Sequence, residues 1–215
     1  RQTGRQATAS HPVDLLGISA EEMRKIRGDR IAMIFQDPGK ALNPTMTVGA
    51  QIAEVFLQHR TAELLDMAGL TPNGSGAVRR FAAQTHRFGD GLLLKLPPSR
   101  GQKARVKAAL DKMVAQALAE TQVPNPAKLM DRYPHELSGG MRQRVMIAQA
   151  LACNPDLLIA DEPTTALDVT VEARILELIR DLQQRRKTSV LYISHDLSLV
   201  RRICDRVAVM YAGRV

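Results

Sequence analysis

The sequence is poor in aromatic residues and cysteines, and it contains no long apolar run. Aromatic side chains make up 3% of the 215 residues and tryptophan is absent, so a hydrophobic core must be built from aliphatic side chains. The two cysteines, Cys153 and Cys204, lie far apart, which argues against a disulfide-rich secreted domain and against a cysteine-based metal site. No run approaches the roughly 18–20 apolar residues of a transmembrane helix.

Positive charge is concentrated in one part of the chain. The formal net charge is +8. Residues 76–110 contain eight basic residues and one acidic residue, Asp90. A nucleic-acid-binding patch would be joined to a reader motif or interleaved with aromatic side chains, and neither is present. We therefore expect no nucleic acid partner and interpret this window as a solvated surface insertion that can lie near anionic lipid headgroups.

Short apolar runs alternate with amphipathic helical patterns in the second half of the chain. The runs do not alternate between apolar and polar residues, which is typical of strands buried on both faces of a parallel sheet. The strand-like runs in this half are 155–163, 188–196 and 206–213, and an earlier one lies at 30–36. This order predicts an α/β fold with a parallel sheet covered by helices.

Polar side chains follow three of these runs. Gln36 ends the first, Asp161 and Glu162 end the second, and His195 and Asp196 end the third. Ligands of parallel sheets gather at the carboxyl ends of strands, so we expect these side chains to lie at one edge.

The paired carboxylates suit phosphoryl chemistry. Asp161 can hold Mg²⁺ directly or through water, and Glu162 can activate a water as general base. His195 can contact a terminal phosphate, and Gln36 can complete the shell of the metal or the water. The alternative for an isolated Asp-Glu pair is a turn or a helix cap, but the histidine at the next strand end favours chemistry.

Two glycines stand at the entrance of a predicted helix, in LSGGMRQRVMIAQAL (137–151). Ser138, Gly139 and Gly140 lie where backbone N–H groups have no helical partner and the helix dipole favours an anion. Glycine removes the side chains that would hold a phosphate at a distance. The segment therefore predicts a phosphate-binding helix start, the alternative being an ordinary turn.

Together these segments resemble the ordered motifs of ATP-binding cassette (ABC) ATPases. The LSGGMRQR stretch is similar to the signature motif, and LLIADEP to the Walker B strand. FQDP (35–38) is similar to the Q-loop, TALD (165–168) to the D-loop and SHD (194–196) to the switch histidine. The resemblance implies a P-loop NTPase-like fold, with a RecA-like parallel-sheet core and a helical subdomain.

The resemblance also implies ATP and Mg²⁺ as ligands and a role for each matching residue. Asp161 and Gln36 would serve the metal, Glu162 would be the catalytic base, and His195 would contact the γ-phosphate. Ser138, Gly139, Gly140, Gln143 and Asp168 would belong to the nucleotide site shared with a second ATPase subunit, identical or paralogous.

A finer resemblance is to the ATPase subunits of dipeptide, oligopeptide and nickel importers, carried by YPHELSGGMRQRVMIA and DEPTTALDVTVEARIL. It implies integral membrane permease subunits as partners, contacted through residues near 41–60, and an indirect link to an extracytoplasmic solute-binding protein. The expected location is peripheral, on the cytoplasmic face of the inner (plasma) membrane.

We expect three regions within the chain. Residues 1–36 would be a partial N-terminal core ending at the Q-loop, and 37–136 a helical subdomain with a basic insertion at about 71–110. Residues 137–215 would hold the signature helix, Walker B, D-loop and switch histidine.

One motif of the family is absent: the sequence contains no GxxxxGK[ST], the loop that holds the β- and γ-phosphates. We interpret the chain as a fragment that is incomplete at both ends. As given, it is expected to bind ATP at millimolar affinity or not at all, and micromolar binding would refute this. Two other functions stay open at this point: a soluble ABC ATPase of DNA repair or translation, and a non-hydrolysing binding fragment.

Overall fold

The computed structural model describes residues 13–70, 100–164 and 168–215. The first twelve residues of the expected N-terminal region, most of the basic window and the first three residues of TALD lie outside the described residues.

The described sheet is parallel, as the apolar runs predict, and it has three strands. Its strands are β1 (Ile31–Ile34), β2 (Leu157–Asp161) and β3 (Ser189–Ile193), in the order β1-β2-β3. Ile34 pairs with Ala160, and Asp161 pairs with Ile193. Because neighbouring strands run in the same direction, their carboxyl ends lie at one edge of the sheet.

Helices supply the rest of the described fold, and several begin at a side-chain cap. Asp168 accepts hydrogen bonds from the N–H groups of Thr170 and Val171, and Asp196 accepts them from Ser198 and Leu199. Such caps satisfy N–H groups that have no partner within the helix. The described helices are α1 (Ala20–Ile26), α2 (Pro38–Ala41), α3 (Val48–His59), α4 (Thr61–Met67), α5 (Arg100–Glu120), α6 (Pro126–Leu129), α7 (Gly139–Leu151), α8 (Val169–Arg186) and α9 (Leu197–Ile203), with a 3₁₀ turn at Pro134–Glu136 before α7.

Two hydrophobic cores meet at α7. One core lies among α3, α4 and α5, and the other lies between the sheet and α8. Val145 and Ala148 belong to the first core, while Met146 and Ile147 belong to the second. The helix therefore places opposite faces in the two cores, and a displacement of α7 affects both.

Two arginines link the elements of one core to those of the other. Arg60, at the junction of α3 and α4, forms an ion pair with Asp29 just before β1, at 2.5 Å, and also donates to the carbonyl of Cys153. Arg186, at the end of α8, forms an ion pair with Glu120 of α5. Burial lowers the pKa of Arg186. These bonds hold the helical core against the sheet.

The strand predicted at 206–213 does not form, and that prediction is wrong. After α9 the chain is irregular, and only a bridge between Tyr211 and Arg214 closes a turn. Val209 and Met210 are exposed. An apolar run becomes a strand only when a neighbouring strand supplies hydrogen-bond partners, and in the described sheet this run pairs with none.

The last residues of the basic window belong to a packed helix. Residues 100–110 lie in α5, and Val106 and Leu110 are buried in the first core. Residues 71–99 lie outside the described ranges, and the basic insertion at about 71–110 stays a prediction.

None of the helices in the described ranges combines the length and the apolar character that crossing a bilayer requires.

Candidate functional site

Three of the predicted site residues meet at the carboxyl edge of the sheet. Gln36 lies two residues after β1, Glu162 directly follows β2, and His195 lies two residues after β3. Gln36 Nε2 donates to Glu162 Oε2 at 2.8 Å. His195 Nδ1 lies 2.7 Å from Glu162 Oε1. The parallel register thus brings together side chains that are 126 and 33 positions apart in sequence.

Glu162 is held in an unusual backbone conformation. Its φ is +43°, a region in which a residue with a side chain costs about 1–2 kcal/mol. The N–H of Glu162 donates to the carbonyl of Ile193 at 3.0 Å, which extends the pairing with β3 by one residue. Strain of this kind persists only where the surroundings enforce it and is common at functional sites. In this backbone conformation the carboxylate of Glu162 faces Gln36 and His195.

The His195 ring is exposed, whereas its partner is more sheltered. The side chain of His195 is 75% exposed and that of Glu162 is 23% exposed. The hydrogen bond to Glu162, and then its negative charge, raise the pKa of His195 above its ordinary value. The pair therefore favours a protonated imidazole beside a carboxylate, a combination that can donate to a phosphate oxygen and take a proton from water.

Asp196, next to His195, stabilises the start of α9. Its side chain caps α9, and hydrogen bonds from the Ser198 hydroxyl and from the N–H groups of Leu199 and Ser198 lower its pKa. The cap fixes the turn that carries His195.

Asp161 is the last residue of β2 and pairs with Ile193 of β3. Its carboxylate therefore belongs to the same edge of the sheet as Glu162. Among the described residues no group of three or more histidine, cysteine, aspartate or glutamate side chains has metal-binding geometry. Mg²⁺ commonly takes one or two protein oxygens and completes its shell with water and phosphate, and Asp161 and Gln36 as its ligands stay a prediction.

The glycine-opened helix is present as the sequence predicts. Ser138 is the N-cap of α7, and Gly139 and Gly140 are its first residues. The first turn contains no acidic residue, and the Ser138 side chain makes no cap hydrogen bond. A Cβ at Gly140 would lie 3.0 Å from Val171 Cγ1 of α8. Glycine therefore permits both close packing on α8 and open access to the helix end.

Two further predicted residues have partners within the chain. Asp168 caps α8 through the N–H groups of Thr170 and Val171. Gln143 is 1% exposed, and its Nε2 donates to the carbonyl of Pro163 at 2.5 Å. Direct nucleotide contact by Gln143 stays a prediction, but its burial favours a supporting role.

Sequence reasoning did not detect the contact between Gln143 and Pro163. A signal was available, because Gln143 lies three and four positions before Met146 and Ile147, and those spacings share one helix face. A polar residue on an apolar face predicts a buried hydrogen bond. Its partner could not be read from the sequence, since it depends on how α7 packs beside the end of β2.

Comparison with protein families and curated proteins gives a consistent result. Residues 3–165 match the family model described as ABC transporter. The chain is 44% identical over 202 residues to the oligopeptide transport ATP-binding protein OppD of Bacillus subtilis, covering 94% of this chain and 44% of that protein. It is 42% identical over 202 residues to the dipeptide transport ATP-binding protein DppD of Escherichia coli, covering 94% and 49%. The chain thus spans about half the length of these relatives.

Solved structures agree with the sequence comparison. The ATP-binding cassette MJ0796, in a dimeric post-hydrolysis state bound to ADP and Pi, aligns with a TM-score of 0.50 and 26% identity, covering 86% of this chain and 60% of that one. The cassette cbiO1 of Clostridium perfringens, part of the transporter complex cbiONQ, aligns with a TM-score of 0.50 and 25% identity, covering 86% and 53%. The motifs, the parallel sheet and these matches agree, and the chain belongs to the ABC transporter ATPase family.

Proposed function

We propose that this chain is part of an ATP-hydrolysing subunit that energises the import of peptides across the cytoplasmic membrane. The single observation that carries the proposal is the junction of Gln36, Glu162 and His195 at the carboxyl edge of a parallel sheet. The choice of peptides rests on the relatives, whose names describe oligopeptide and dipeptide transport.

Glu162 is the proposed general base. Both of its carboxylate oxygens are engaged, one by Gln36 and one by His195. Each oxygen has a second lone pair, so the carboxylate can accept a proton from water while both contacts persist. His195 orients the carboxylate, and its other ring nitrogen, Nε2, can donate to a phosphate oxygen.

The nucleotide is proposed to lie between two subunits. Ser138, Gly139 and Gly140 of one subunit would bind the γ-phosphate of ATP held by its partner, and Asp168 would act near that interface. The open first turn of α7 supports this, because its N–H groups and dipole attract an anion. Asp161 and Gln36 would hold Mg²⁺, which neutralises phosphate charge when bound.

The proposed partners are a second ATPase subunit, membrane permease subunits and, indirectly, an extracytoplasmic solute-binding protein. The proposed location is therefore the cytoplasmic face of the membrane, with attachment through the permease. Residues near 41–60 are the proposed contact with the permease, since they directly follow the turn after Gln36.

The proposal is tested by reconstitution. The full-length protein, with its permease in proteoliposomes and its solute-binding protein outside, should take up a labelled peptide only when Mg²⁺ and ATP are inside. Uptake should cease when a non-hydrolysable ATP analogue replaces ATP. Hydrolysis that peptide and permease do not stimulate would contradict the transport function while leaving the ATPase activity in place.

A further inference from the structure

Gln143 occupies a position that connects two parts of the site. It lies in the second turn of α7, whose first residues are Gly139 and Gly140. Its amide reaches across to the carbonyl of Pro163, directly after Glu162. Gln143 thus lies one helical turn from the proposed phosphate-binding end, and its hydrogen-bond partner is the residue next to the proposed base.

Few other groups could replace the hydrogen bond between Gln143 and Pro163. Proline has no N–H, so its carbonyl is the only backbone group through which it can form a hydrogen bond. Pro163 and Gln143 are both buried, so water cannot replace the amide at low cost. The position of Pro163 therefore follows the position of α7.

The loop after β2 is held at three consecutive residues, each by a different element. The N–H of Glu162 donates to Ile193 of β3 at 3.0 Å. Pro163 accepts from α7, and the Thr164 hydroxyl donates to Glu172 of α8 at 2.9 Å. Of these three hydrogen bonds, only the one from Gln143 to Pro163 connects the loop to α7, the helix that begins with two glycines.

We propose that Gln143 is a positioning residue that couples the start of α7 to the carboxylate of Glu162 in the same subunit. The inference rests on the proposed function, in which the start of α7 meets the partner's nucleotide while Glu162 serves the subunit's own. Closure of one site shifts α7, and Gln143 transmits that shift through Pro163 to the base of the other site. The two sites of the dimer are thereby made to act together.

The direct test is Gln143→Met in the full-length protein with its permease. Methionine keeps the length of the side chain and removes the donor. We expect kcat for ATP hydrolysis to fall about tenfold, because a misplaced reacting group costs up to about 100-fold in rate, and the Hill coefficient for ATP to fall toward 1. KM should change less than about twofold, because a positioning residue affects the reacting state more than binding.

The chain offers a matched control at the opposite end of β2. Thr188 is buried, and its hydroxyl donates to the carbonyl of Pro155 at 2.9 Å. Thr188→Val removes a buried donor to a proline carbonyl, as Gln143→Met does, but far from Glu162. It should leave kcat and the Hill coefficient within about twofold of the wild-type values. An equal loss of kcat in both variants would show that the bond is merely structural and would overturn the proposal.

A spectroscopic measurement separates this inference from the proposed function. The NMR signal of the His195 ring reports on its contact with Glu162, and we expect it to shift in Gln143→Met but not in Thr188→Val. If Gln143→Met does not fold, Gln143→Asn, which keeps an amide that is too short to reach, replaces it. A wild-type protein without ATPase activity would refute the proposed function, whereas an unchanged His195 signal and an unchanged kcat would refute the role of Gln143.

Discussion

Glu162 accepts a hydrogen bond from Gln36 with one carboxylate oxygen and contacts His195 with the other, at 2.8 and 2.7 Å. Each of the three residues follows a different strand of the sheet. In this arrangement the two contacts orient the carboxylate between the ends of the three strands. A movement of Gln36 or His195 would therefore change the orientation of Glu162.

The first prediction concerns the pKa of His195. Its hydrogen bond to Glu162 and the charge of that residue hold it above the ordinary value of 6.5. The attraction therefore stabilises the fold fully below about pH 6.5 and fades as the pH rises through the raised pKa. NMR titration of the His195 ring in the wild type should give a midpoint above 6.5, and Glu162→Gln should lower it.

Asp196→Asn provides the control for this titration. The charge of Asp196 raises the pKa of His195 less than the hydrogen bond and the charge of Glu162 do, so the midpoint should fall less than in Glu162→Gln. A larger fall in Asp196→Asn would contradict the assignment of Glu162 as the dominant partner.

A second prediction separates packing from phosphate access at Gly140. In Gly140→Ala the new methyl group would lie 3.0 Å from Val171 Cγ1 and would also obstruct the open start of α7. ATP hydrolysis by the full-length protein should fall about 10- to 100-fold, the usual cost of misplacing a reacting group.

The double variant Gly140→Ala/Val171→Ala identifies the cause. It removes the contact with Val171 and leaves the methyl group at the helix start, so hydrolysis should stay low, while Val171→Ala alone should hydrolyse ATP near the wild-type rate. Recovery of the wild-type rate in the double variant would show that packing, and not phosphate access, explains the glycine.

The sequence predicted which side chains follow the strands better than it predicted how many strands the sheet contains. The apolar runs located β1, β2 and β3, and the polar residues after them located Gln36, Glu162 and His195. These features could be predicted because an apolar strand and the polar residues that follow it are both visible within a short window of the sequence. The run at 206–213 has the same composition but forms no strand, since strand formation also depends on a neighbour that composition does not specify.

Polar contacts between residues far apart in the chain could not be predicted from the sequence. The bond of Gln143 to Pro163 and the ion pair of Arg60 with Asp29 join residues on different elements. Their partners are set by how helices pack on the sheet. The sequence placed Asp196 at the edge of the sheet and the family resemblance placed Asp168 in the nucleotide site, but neither indicated that these residues cap α9 and α8.

The third prediction tests the link between the two cores. The side chains of Arg60 and Asp29 are each 19% exposed. Arg60→Met should lower the free energy of unfolding by about 3 kcal/mol, because it leaves a sheltered carboxylate without its cation. Chemical denaturation followed by circular dichroism measures the change.

The matched control is an exposed ion pair on α5. Lys107 and Asp111 lie 2.8 Å apart, but their side chains are 71% and 46% exposed. Lys107→Met should cost less than about 1 kcal/mol. Equal losses in Arg60→Met and Lys107→Met would mean that burial does not strengthen the link between the cores.

The central claim is that Glu162 is the base that activates water, and ATP turnover by Glu162→Gln in the full-length protein tests it most directly. Removal of a general base should lower kcat about 10²- to 10⁴-fold, while ATP binding and ATP-dependent pairing of subunits persist. Glu177→Gln, the same change at an exposed position of α8, should leave kcat unaltered. Turnover at the wild-type rate by Glu162→Gln would contradict the account.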